Sequence, residues 1–209
     1  MTDHLHPPAK GPTARPSAGG TVLGTPVLQI RPATAVHEPI GFATASGDET
    51  GPEADRLRTA VADVRLEAFV VEQAVPFVLE IDARDEELTT IHLLARGADG
   101  TPLGAGRILM EPEEPGRVHL GRLAVRSVAR GTGLGARIVV ALEQTALSHS
   151  GRSRAEVVLS AQEQAMGFYE RCGYRVLDGR RYLDAGIWHQ DMARTVSSVS
   201  AEDRSGRTA

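Results

Sequence analysis

In Leu123-Ala124-Val125-Arg126-Ser127-Val128-Ala129-Arg130-Gly131-Thr132-Gly133-Leu134-Gly135-Ala136 an apolar strand runs into a glycine-rich turn and then into a helix. Leu134, Ile138, Leu142 and Ala146 recur at helical spacing, which predicts that helix to about Ser150. The first N–H groups of a helix lack internal partners and carry about half a positive charge together. Glycine lets an anion come close to them, and Arg130 adds a fixed cation. Two outcomes stay open on these residues alone: a cradle for a phosphate or pyrophosphate, and a tight strand-to-helix turn that uses glycine only for geometry. A Walker loop is excluded, because no Gly-Lys-Ser/Thr follows the glycines. A dinucleotide fingerprint is formally met by Gly131, Gly133 and Ala136. It also needs an acidic residue about 20 positions on, and Val158-Leu159-Ser160-Ala161 has none, which disfavours a nicotinamide enzyme.

Upstream, Leu57, Val61, Val64, Ala68 and Val71 fall on one face of a helix, with Pro52 suited to its first turn. Thr90–Arg96, an Asp99-Gly100 turn and Thr101–Met110 read as a hairpin, and Arg117–Val125 adds a third antiparallel strand. Downstream, Ala155–Ser160 reads as a strand and Gln162–Cys172 as a helix closed by Gly173. Tyr174–Leu177, an Asp178-Gly179 turn and Arg181–Met192 supply the last strands. This order predicts a mixed α/β (α+β) domain around a mostly antiparallel sheet.

The ends carry less pattern. Residues 1–20, with Pro7, Pro8, Pro12 and Pro16, read as a disordered leader; Val27–Ile30 reads as a short first strand. Residues 41–54 read as a flexible connection at most, and residues 196–209 as a flexible tail. One domain over 21–195, with its clearest core over 53–192, fits a length of 209 residues. Apolar residues at 41% suffice for a sizeable core. The net charge of −4 gives no basic excess for nucleic acid or an anionic membrane. No apolar run nears the roughly 20 residues of a membrane span, and no export signal is readable, so a cytoplasmic protein is expected. The lone Cys172 fits a reducing compartment, and the scattered histidines suggest no metal site.

Leu123-Ala124-Val125 followed by Arg130-Gly131-Thr132-Gly133-Leu134-Gly135 resembles the acetyl-CoA motif of the GNAT superfamily of N-acetyltransferases. Phe168-Tyr169-Glu170-Arg171-Cys172-Gly173-Tyr174 resembles that superfamily's F-Y-x-x-x-G-F/Y segment. Three further segments resemble its ElaA-like branch: Phe69–Pro76, Leu159–Gln162 and Leu183–His189. The resemblance implies a GNAT fold, in which a splayed strand pair in a mixed sheet forms the acetyl-CoA cleft. It implies acetyl transfer from acetyl-CoA to a small-molecule or peptide primary amine, by direct attack in a ternary complex and without a metal. Members of the family often form homodimers.

Carried over, the pyrophosphate falls to Arg130, Gly131, Thr132, Gly133, Leu134 and Gly135, with Ala136 beside them. The pantetheine arm pairs with the backbone of Leu123, Ala124 and Val125, and Tyr169 protonates the departing thiolate. A base is also needed, because a free amine is mostly protonated at neutral pH. Glu72, Glu80, Asp82 and His119 are the candidates, with Glu72, or a water held near it, taken as the base. Asp184 and His189 match the branch pattern, and both a structural role and a substrate contact stay open for them. A non-catalytic CoA sensor uses the same loop, but needs no leaving-group acid.

Overall fold

A computed structural model describes residues 39–198, so the expected leader and the strand at Val27–Ile30 lie outside the described residues. The elements are β1 (Gly41–Ser46), α1 (Pro52–Arg65), α2 (Phe77–Glu80), β2 (Thr90–Arg96), β3 (Pro102–Met110), β4 (Arg117–Val125), α3 (Leu134–Ser150), β5 (Arg154–Gln162), α4 (Met166–Arg171), β6 (Arg175–Asp184) and β7 (Ile187–Ser197). Seven strands form one sheet in the order β1-β2-β3-β4-β5-β7-β6. Every pair is antiparallel except β4–β5, which the α3 crossover makes parallel.

Helices cover both faces. α3 presses Leu134, Ile138, Leu142 and Ala146 onto Ile108, Leu120, Leu159 and Met192. Gly104 and Gly106 of β3 make that approach possible: a Cβ there would lie 2.5 Å from Ile138 Cδ1 and 2.6 Å from Leu142 Cδ1. On the other face, α1 buries Leu57, Val61 and Val64 against Leu94, Ala105 and Ala124.

Five expectations change. Gln162 closes β5 rather than opening a helix, and the α-helix expected over Gln162–Cys172 is confined to Met166–Arg171. Residues 41–46 are not a connection but an edge strand, paired with β2 from Gly41↔Arg96 to Ser46↔Ile91. Only Ala45 of that strand is buried, so one half-covered edge left little apolar signal. The α1 face does not reach Val71. From Leu66 to Val71 the chain winds as a π-helix, shown by Glu72 N–H bonding Glu67 O five residues back, and Val71 is 77% exposed. The wider turn rotates every later side chain off the α-helical face.

Asp178-Gly179 is not the hairpin turn. It is an outward bulge inside β6, between the pairs Val176↔Met192 and Arg181↔Gln190. The chain reverses at Ala185-Gly186, both at positive φ (47° and 78°), as a two-residue hairpin turn requires. The sheet also continues into the expected tail: β7 runs to Ser197, with Val196 buried opposite Ala155. Among the described residues, no helix is long and apolar enough to cross a membrane.

Candidate functional site

β4 and β5 are paired only from Arg117↔Glu156 to Leu120↔Leu159. Beyond Leu120 they part, and a cavity of about 880 Å³ fills the gap. The parting coincides with a bulge. On β4, Arg122 and Leu123 together oppose the single Gly106 of β3, and Arg122 sits at φ 52°. A bulge of this kind bends its strand and leaves backbone groups without ladder partners.

The bulge shifts the alternation of β4, so that Leu123 and Val125 face the cavity while Ala124 packs beneath α1. Arg130, Gly131, Gly133, Leu134, Gly135 and Ala136 line the same cavity. Gly133 is in the left-handed region at φ 84°, and no side chain caps α3. The first bond of α3 runs from Arg137 N–H to Gly133 O at 3.2 Å, so the N–H groups of Leu134, Gly135 and Ala136 precede its ladder. A Cβ on Gly131 or Gly133 would meet nothing within 4 Å, so the mouth of the helix is open, while Gly135 leaves room for the Phe168 ring. An open, uncapped helix start of this kind suits an anionic group. Thr132 turns away, with its hydroxyl donating to Ala129 O at 2.7 Å.

Tyr169 also lines the cavity, wedged edge-to-face between Phe168 at 5.0 Å and Tyr174 at 5.9 Å. Its hydroxyl has no hydrogen-bond partner among the described residues, and burial, with Cys172 nearby, pushes the phenol well above its usual range. It therefore stays a proton donor at neutral pH. Burial likewise raises the Cys172 thiol on the same wall and keeps it protonated.

The candidate bases divide. Glu72 does not line the cavity: its carboxylate takes Arg130 Nη2, while Arg130 Nε donates to Val125 O at 2.8 Å. The expected base and the expected phosphate cation are thus paired with each other. Asp82 is held by Arg107 at 3.0 Å and Arg122 at 3.1 Å, and His119 lies outside the cavity wall. Glu80 reaches the wall but is 2% exposed, with Arg65 Nε at 2.5 Å and Arg122 Nε at 3.4 Å on its two oxygens. Burial lifts its carboxyl against the pull of those two cations. Asp85 closes this network under Arg65 and Arg107. Burial alone would raise its carboxyl, but the two guanidinium groups outweigh it and hold it at about 2.

The rest of the wall comes from far apart in sequence: Phe69, Gln73 and Val75 after α1, Ser160 and Gln162 on β5, and Asp184, Ala185, Ile187 and His189 around the last turn. Gln162 Nε2 donates to Gln73 Oε1 at 2.8 Å across the cleft. Arg122 escaped the sequence reading altogether. It ties the bulge to the end of α2 and the loop after it by bonds to Leu79 O, Glu80 O and Asp82, and a bulge has no signature in single-residue pattern.

The family model of the acetyltransferase (GNAT) domain matches residues 57–196. The uncharacterized N-acetyltransferase YjcF of Bacillus subtilis is 40% identical over 131 residues, which are 63% of this chain and 87% of that protein. An acyl-CoA N-acyltransferase from Pseudomonas aeruginosa is 31% identical, with a TM-score of 0.64 over 75% of this chain and 99% of that one. Escherichia coli ElaA is 26% identical, with a TM-score of 0.63 over the same shares of both chains.

Proposed function

The chain belongs to the GNAT acetyltransferase family, and on that premise we propose that it moves an acetyl group from acetyl-CoA to a primary amine by direct attack in a ternary complex. The observation that carries this reading is the uncapped mouth of α3, which opens on the same cavity as Tyr169. The N–H groups of Leu134, Gly135 and Ala136 bind the pyrophosphate, with Arg130, Gly131 and Gly133 at the rim. The β4 edge beyond Leu120, free of β5, receives the pantetheine arm as an added strand over Leu123 and Val125.

The chemistry then needs little beyond placement, and holding amine and thioester in contact supplies several kcal/mol of the barrier. The amine nitrogen bonds to the carbonyl carbon. Backbone N–H groups freed by the bulge of β4 stabilise the oxyanion. The carbon–sulfur bond breaks as Tyr169 donates its hydroxyl hydrogen to the sulfur. A thiol held protonated at Cys172 favours direct attack over an acyl-cysteine intermediate.

Acetyl-CoA is expected to raise Tm while NAD leaves it unchanged, and thiol release is expected with some members of a panel of amines. No shift with any CoA thioester overturns the reading. A shift without thiol release from any amine makes the chain a CoA-binding sensor instead.

A further inference from the structure

An amine that attacks a thioester must lose a proton, and the cavity wall offers few groups to take it. Tyr169 and Cys172 are held protonated by burial. Both oxygens of Glu80 face guanidinium groups, and Asp184 stands exposed at the end of β6. His189 remains. It is 8% exposed and lines the cavity, and its two ring nitrogens are differently occupied. Nδ1 lies 2.9 Å from Ile187 O, an acceptor that only an N–H can satisfy. Nδ1 therefore carries the hydrogen, and Nε2 carries a lone pair with no bonded partner among the described residues. The ring is fixed by stacking on Tyr182, with centroids 6.0 Å apart and planes at 19°. Tyr182 is in turn anchored to Asp191 at 2.6 Å and to the Ser160 hydroxyl.

Resting on the acetyl-transfer reading, we propose that His189 Nε2 accepts the proton of the attacking amine, directly or across one water. The nitrogen–carbon bond forms as one N–H hydrogen passes to Nε2, and the carbon–sulfur bond breaks as sulfur takes one hydrogen from Tyr169. One proton leaves nitrogen and one reaches sulfur, and the imidazolium and phenolate reset through solvent. Most charged groups on the elements packed around the imidazole have partners of their own. β6 contributes Tyr182 and Asp184; β5 contributes the neutral Ser160 and Gln162; Asp191 of β7 itself is bound to Tyr182 and Ser160. Before α4, Glu163 is paired with Arg181, and Glu143 of α3 is paired with Arg194. On the other cavity walls, Arg122 and Arg130 are paired with carboxylates, and Arg171 also lines the cavity.

The test is the pH dependence of kcat/KM together with substitution. In the wild-type protein, activity is expected to fall on the acid side in a single ionisation, because a protonated ring nitrogen accepts nothing. That limb should stay in place for acceptors of different amine pKa, because it belongs to the protein. His189→Gln and His189→Asn, which keep a polar side chain but no base, are expected to lose about a hundredfold in kcat/KM, together with the limb. The acetyl-CoA shift in Tm should be kept, and added imidazole should restore part of the turnover of His189→Ala. Variants that stay within about threefold of wild type with the limb intact overturn the proposal. Should every variant fail to fold, a wild-type limb that is missing, or that tracks the acceptor's own pKa, overturns it by itself. Thiol release from no amine at all removes the acetyl-transfer reading, and this proposal with it.

Discussion

Two sides of one cavity are built from different materials. Under the proposed acetyl transfer, the cofactor side is backbone: a strand edge, a glycine turn and a helix mouth, all within residues 123–136. In the same reading the acceptor side is side chains, gathered from 69–75, 160–162 and 184–189 and braced by the Arg65, Arg107 and Arg122 network. A backbone site depends on φ and on empty space, so it should fail through conformation. A side-chain site depends on single functional groups, so it should fail atom by atom.

The largest expected effect tests the first half of that contrast. Gly133→Val puts a branched side chain at φ 84°, in the open space where the proposed pyrophosphate site lies. A side chain that closes the helix mouth is expected to lower acetyl-CoA affinity roughly a hundredfold by calorimetry, about 2.7 kcal/mol. Affinity retained beside a raised amine KM would break the division, since the phosphate edge would then lie elsewhere. Tyr169→Phe tests the second half. Phe keeps the edge-to-face contacts with Phe168 and Tyr174, and the lost hydroxyl had no partner among the described residues. Tm and its acetyl-CoA shift should therefore hold while kcat falls about tenfold or more. Unchanged kcat would return the ring to packing alone.

The same contrast explains what the sequence disclosed. The strand, glycine turn and α3 are contiguous, and glycine spacing with helical periodicity marks them directly; the strand spans Arg117–Val125, as its pattern predicts. The acceptor side is assembled by the sheet order, which sets Gln162 opposite His189 and turns β6 back at Ala185-Gly186. Local pattern does not carry such pairings. Resemblance had marked the three segments, but not that they meet. The π-helical turn of 66–71 had the same consequence for Glu72: one extra residue per turn redirects everything after Ala68, and Val71 and Glu72 leave the face that a straight helix would have given them.

Glu72 therefore gives the smallest effect and the sharpest check on the division. Its carboxylate pairs with Arg130 at the rim of the cofactor side, where both side chains are partly exposed. A pair in that setting contributes at most about 1 kcal/mol and is screened by salt. In Glu72→Gln, Arg130 keeps its bond to Val125 O but loses its counter-charge, which leaves more positive charge for the pyrophosphate. Acetyl-CoA should bind up to about threefold more tightly at low ionic strength, with the gain fading in high salt. A drop of about a hundredfold in kcat instead would restore Glu72 as the base. It would also mean that the segment after α1 turns its carboxylate into the cavity once the substrates are bound, and the two sides would no longer be separable by what they are made of.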